Sequence, residues 1–214
     1  MRSFLLLLTL VLTAACSPRG GGDPVAVLLY KLERLGYFDH MPPDRKALCF
    51  NECLAGGTPY GESCARVLDA DAEDLAEGGI ASLCRRAAPL LASFGAGSAI
   101  PNQTYHLDRY TVTIDNGRVI TIFDPYTTSD RLAVWQRASL LAQAILDLRL
   151  AHTSATDRFY TVYFANDQLF VLLTPEMFDA IAASSLGSQH VPRPLPLMLA
   201  RPNPGMQRTR FARR

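Results

Sequence analysis

Four cysteines fall in the first half of this 214-residue sequence, at Cys49, Cys53, Cys64 and Cys84, and a fifth, Cys16, stands apart near the N-terminus. Thiols so spaced can bridge one another, hold a soft metal or carry electrons. Zinc sites use two close pairs of ligands, and here only Cys49 and Cys53 are close, so the spacing points to structural disulfides and to no metal. "CFNEC" puts three residues between its cysteines where redox motifs have two. On a helix Cys49 and Cys53 share a face, and a bridge between them is strained. Each therefore reaches a different partner.

The other reactive side chains form no comparable set. His40, His106, His152 and His190 match no ligand spacing, and there is no GxSxG elbow, phosphate-cradling glycine loop or dinucleotide fingerprint. His106, Asp108 and Asp124 can meet only in space, and Ser63 has no base near it in the sequence. Asp69, Asp71, Glu73, Asp74 and Glu77 lack the glycine turn of a calcium loop and read as a solvated helix face. The sequence assigns no catalytic residue and no cofactor.

Cys16 closes an apolar run. Arg2, the apolar core Phe4 to Leu12, and the small residues Ala14 and Ala15 make up a secretory signal too short to span a membrane. With "TAA" directly before Cys16, the segment resembles the lipobox of bacterial lipoproteins, with Thr13 where that motif usually has Leu. The resemblance covers residues 1–16. It implies cleavage before Cys16, acylation of that cysteine, and, with Ser17 in place of an aspartate, delivery to the outer membrane, facing the periplasm. "SPRGGG" then reads as a flexible tether. The four remaining cysteines suit an oxidising compartment.

The rest of the chain must position these cysteines. With 49% hydrophobic and 19% charged residues, it can build a core. Helix 1 starts at "DPVAVLLYKLERLG", with Asp23 as cap, Pro24 in first position and Gly36 as stop. A second helix runs from about Asp44 to Ala55. "GGTPYG" turns, and a third helix from about Glu62 to Ala76 returns antiparallel. That hairpin predicts Cys53–Cys64 and leaves Cys49–Cys84, although spacing alone admits three pairings. Cys84 lies on a helical stripe of Ile80, Leu83, Ala87, Leu91 and Phe94 that Pro89 should kink or break.

The period then changes to two. "YTVTIDNGRVITIF" predicts a hairpin with a two-residue turn at Asn116 and Gly117, setting Ile114 opposite Val119, Tyr110 opposite Phe123 and Arg109 opposite Asp124. A long helix follows from about Arg131 to Ala151, with Val134, Ala138, Leu141, Ile145 and Leu148 inward. A second hairpin leads into a helix begun by Thr174 and Pro175. At an offset of 50 residues Tyr110, Thr111, Val112, Asn116 and Pro125 match Tyr160, Thr161, Val162, Asn166 and Pro175.

The predicted fold class is α+β. A disulfide-linked helical region over 23–97 precedes a ββαββα unit over 105–187, read as one four-stranded antiparallel sheet with helices on one face, the two forming one domain. Signal (1–15) and tether (16–22) precede it. The uncovered face would present Tyr110, Val112, Phe123, Tyr160 and Val162, a candidate surface for a protein or envelope partner. Residues 188–214 read as a disordered basic tail: after Asp179 there are six arginines and no acid, while residues 16–192 carry 14 basic and 20 acidic side chains. No aromatic interleaving gives these arginines a specific nucleic-acid target. The expected function is a non-catalytic binding or assembly module held to the membrane by its lipid. The alternative is a periplasmic inhibitor or immunity protein, and the third reading is an enzyme with an unrecognised site.

Overall fold

The computed structural model of the chain describes residues 23–97, 100–106, 109–114, 117–126, 130–163 and 167–194, without the side chains of 131 and 132. Cys16 with the signal and tether, Asp108, Asn116, Asn166 and most of the predicted tail lie outside the described residues. The protein is α+β. In chain order come α1 (Pro24–Arg34), α2 (Pro43–Gly56), β1 (Val67–Asp69), a short α3 (Ala72–Asp74), a π-helical turn (Leu75–Gly79) and α4 (Ile80–Ser93). Then follow β2 (Asn102–His106), β3 (Arg109–Thr113), β4 (Val119–Phe123), α5 (Arg131–Leu150), β5 (Arg158–Val162), β6 (Leu169–Leu173) and α6 (Pro175–Ala182). No helix among the described residues is long and apolar enough to cross a membrane.

Local chemistry sets most boundaries. The Asp23 side chain accepts the N–H of Val25, Pro24 opens α1, and Gly36 takes φ +83° just beyond its end. Thr174 caps α6 in the same way through Met177, with Pro175 first. Pro89 does not break α4. Its missing hydrogen bond and ring clash cost about 3 kcal/mol, and burial of Leu83, Ala87, Leu90 and Leu91 on the same helix offsets it. On α5 the inner face is as expected except at Leu148, which is exposed while Leu146 and Leu150 are buried.

The helix expected over 62–76 forms only from Ala72 onward. From Cys64 to Ala70 the buried side chains alternate, Cys64, Arg66, Leu68 and Ala70, which is the period of a strand. The segment becomes β1 and pairs with β6, Val67 facing Val171 and Asp69 facing Leu169.

This pairing also changes the expected sheet. The two hairpins do not join. Each recruits a third strand, giving two antiparallel sheets in the orders β1-β6-β5 and β2-β3-β4. The side chains show why. β6 is apolar throughout, and Phe170, Val171, Leu172 and Leu173 are fully buried, so its sheet needs cover on both faces. Val171, Leu173 and Val162 pack with α1, α2 and α6 in one core, while Phe159, Phe170 and Leu172 pack with α4 and α5 in the other. In the second sheet Tyr110, Val112 and Ile122 enter that latter core. Its other face is polar, with Thr104, Thr111 and Thr121 opposite one another.

Tyr110 faces Phe123 as expected, but Thr113, not Ile114, faces Val119. The Ile114 N–H donates to the Arg118 carbonyl and the Gly117 N–H donates to the Ile114 carbonyl, so the loop has three residues and ends on Gly117 at φ +73°. A bulge at Ile122 absorbs the extra residue and keeps it buried. The expected ion pair of Arg109 with Asp124 forms at 2.7 Å.

Arg66 ties the halves together. Its guanidinium is 2.5 Å from the Asp157 carboxylate and donates to the carbonyls of Tyr37 (3.1 Å) and Leu172 (3.2 Å), all three buried bonds. At the chain's end, residues 188–194 belong to the fold and not to the tail: after a 3-10 turn (Ser188–His190), Arg193 exchanges two backbone hydrogen bonds with Thr161 on the open edge of β5.

Candidate functional site

The structure gathers three of the four cysteines and leaves the fourth out. Cys49 and Cys53 sit one turn apart on the buried face of α2, and the loop after α2 brings Cys64 to both, so that the three sulfurs lie within 4.8 Å of one another. The bridge is Cys49–Cys64. It replaces both expected pairs, because residues 57–64 form a turning loop instead of a returning helix and deliver Cys64 one turn earlier along α2. Cys53 is a buried thiol with its sulfur 3.5 Å from that of Cys64. Cys84 lies on α4 in the other core, where burial raises its thiol pKa to about 11.

The expected partner face is not open. Tyr110 and Val112 are fully buried, with half-buried Phe123 packed beside them in one core. Val162 is 1% exposed in the other core, where half-buried Tyr160 stacks on Phe178 at 4.7 Å. Because the hairpins belong to separate sheets, the five side chains never share a surface. Of the polar residues weighed in the sequence, Asp108 lies outside the described residues, Asp124 bonds Arg109 and the N–H of Tyr126, and His106, exposed on β2, stands opposite that Arg109 in the strand register. Ser63 does meet a carboxylate. Its N–H and hydroxyl each donate to Glu52 at 2.7 Å, which lowers the Glu52 pKa and fastens the loop to α2.

The loop it fastens lines a groove. Tyr60 and Glu62 from the loop, Val67 and Asp69 from β1, and Leu169 from β6 surround about 560 Å³. The strand register puts Asp69 and Leu169 opposite each other, and Gly61 lets the loop approach α2 closely, since a Cβ there would lie 2.9 Å from Glu52. Tyr60 and Val67 supply apolar surface, while Glu62 and Asp69 are exposed carboxylates.

Behind Tyr60 stands a tyrosine–histidine cluster. The Tyr60 hydroxyl donates to the His190 carbonyl, and the Tyr163 hydroxyl shares a hydrogen with His190 Nδ1, each at 2.7 Å. The Tyr60 and Tyr163 rings meet edge to face, and burial pushes both phenol pKa values upward. Tyr163 has φ +57°, the positive-φ conformation that, among the described residues, glycines otherwise take. Such strain persists where surrounding contacts hold it. Here the bond to His190 and the ring contact to Tyr60 do so.

The groove can take a partner that offers a cationic group to Glu62 and Asp69 and an apolar part to Tyr60, Val67 and Leu169. Sequence reasoning assigned Tyr60 to a turn, Asp69 to a solvated acidic run and His190 to the tail. The one usable signal was Tyr60 itself, a large aromatic inside a glycine turn. No family model, curated protein or solved structure matches this chain.

Proposed function

We propose that this chain is an exported lipoprotein, held by acylated Cys16 at the periplasmic face of the outer membrane, that binds an envelope partner without catalysing a reaction. The Cys49–Cys64 bridge carries the reading, because a buried disulfide suits the oxidising compartment that the lipobox-like segment before Cys16 implies. The contact surface in this reading is the groove of Tyr60, Glu62, Val67, Asp69 and Leu169, and the partner is a protein segment presenting a basic side chain beside an apolar one.

Two experiments test the two parts. Cys16→Ser is expected to move the protein out of the membrane fraction, with loss of the acyl mass. Unchanged fractionation, with no acyl mass on the wild type, overturns the tether. A photo-crosslinking residue at position 62 is expected to capture one defined partner in native membranes, and Asp69→Asn to weaken that capture. Capture that Asp69→Asn leaves unchanged overturns the groove as the contact.

A further inference from the structure

Cys53 faces a disulfide, not a void. Its sulfur lies 3.5 Å from Cys64, the sulfur that Cys49 already holds, and Cys49 and Cys53 approach it from successive turns of the same helix. The 3.5 Å approach supplies the proximity that attack of a thiolate on a disulfide sulfur needs, and because all three sulfurs lie within 4.8 Å of one another, a rotation of the Cys53 or Cys64 side chain brings them into line for the step. We propose that Cys64 exchanges its bridge between Cys49 and Cys53, so that the protein interconverts two disulfide isomers without gaining or losing electrons.

The step balances within the chain. Cys53 gives its proton to solvent and attacks Cys64 Sγ. The Cys53–Cys64 bond forms as Cys49–Cys64 breaks, and Cys49 leaves as a thiolate that takes up a proton. The bridge then spans 11 residues instead of 15. Both spans enclose Tyr60 and Glu62, so the exchange changes how tightly their loop is anchored to α2. It does not depend on whether the groove binds anything.

The groups acting on Cys53 set its rate. Burial and the Glu52 charge on α2 raise its thiol pKa to about 11, against a hydrogen bond from the Gly61 backbone in the loop. Tyr37, from the α1–α2 connection, and Tyr60, from the loop, also lie near enough to be affected by its charge, and burial raises the pKa of both phenols. Little thiolate exists at neutral pH. The exchange rate should therefore rise about tenfold per pH unit below the thiol pKa.

The test uses oxidised full-length protein held without reductant at pH 7 and pH 9, then quenched with acid. Free thiols are alkylated with one reagent, disulfides are reduced and alkylated with a second, and the tryptic peptide of residues 47–66, which contains all three cysteines, is sequenced by mass spectrometry. The first label is expected on Cys53 in one population and on Cys49 in another. Starting from one isomer, the two populations should reach the same ratio about 100-fold faster at pH 9. The first label confined to either cysteine through a day at pH 9 overturns the proposal. Cys49→Ser incubated with excess glutathione disulfide gives a second reading: a Cys53–Cys64 bridge, formed as glutathione disulfide is reduced to two glutathione thiols, supports exchange, and no such bridge in the folded variant overturns it. If that variant does not fold, the wild-type labelling decides.

Discussion

Replacing Arg66 by methionine removes the cation that, among the described residues, pairs with Asp157 in the interior. Arg66 and Asp157 are 3% and 5% exposed, so neither charge can fall back on solvent. Methionine restores much of the alkyl packing but none of the donors. It leaves the Asp157 carboxylate without its partner and removes one donor each from the carbonyls of Tyr37 and Leu172. Breaking one side of a buried pair costs about 3 to 5 kcal/mol, most of it the penalty of the stranded charge. For a protein of this size that is a fall of roughly 6 to 20 °C in Tm.

Adding Asp157→Asn to Arg66→Met removes the stranded charge while keeping the side chain's shape. The double variant is therefore expected to recover at least about 1 kcal/mol over Arg66→Met alone. Urea unfolding of wild type, both single variants and the double variant gives the coupling directly. A cost below about 1 kcal/mol for Arg66→Met, or no recovery in the double variant, would refute the view that a desolvated charge pair joins these segments.

Gly117→Val places a β-branched residue at φ +73° with open space around its Cβ, so the cost is backbone strain alone, about 1 to 2 kcal/mol by thermal unfolding. Asp147 has its pKa raised to about 6 by burial, partly countered by the Phe159 N–H, the Gln143 side chain and the Arg158 charge. Its folded pKa exceeds its unfolded one, so the folded state holds the proton longer. Stability contributed by the protonated group is lost as pH rises from about 4 through 6, by on the order of 2 to 3 kcal/mol. Asp147→Asn keeps the acceptor for Phe159 N–H, and urea unfolding at pH 4 and pH 7 should show that pH-dependent loss removed. Arg109→Ala breaks an ion pair whose arginine side chain is 58% exposed and should cost less than about 1 kcal/mol, a limit that thermal unfolding checks.

Elements whose instructions are local could be read from sequence: Asp23 and Pro24 at α1, Thr174 and Pro175 at α6, and Tyr110 opposite Phe123 in the β3–β4 hairpin. Partner choice between distant segments could not. "RVLDA" carries helix formers and strand formers together, and only β6, about a hundred residues later, makes it a strand. That single change moved Cys64 onto Cys49, left Cys84 alone and separated the two hairpins. The five residues expected on an open face are instead buried or half-buried. Much of what covers them comes from distant segments, α1, α2 and α4, although Phe178 nearby stacks on Tyr160. The groove was illegible for the same reason, since Tyr60, Asp69, Leu169 and His190 span 130 residues.

β6 belongs to both cores. Phe170 and Leu172 point into one, Val171 and Leu173 into the other, and Arg66 beside it holds both Tyr37 and Asp157. Neither core can be taken apart while the other stands, because each loses a wall when this strand leaves. The N-terminal helices and the second sheet, built from different stretches of chain, should therefore melt in one transition. A protease would then meet either the whole fold or an open chain, with no half-folded remnant to trim.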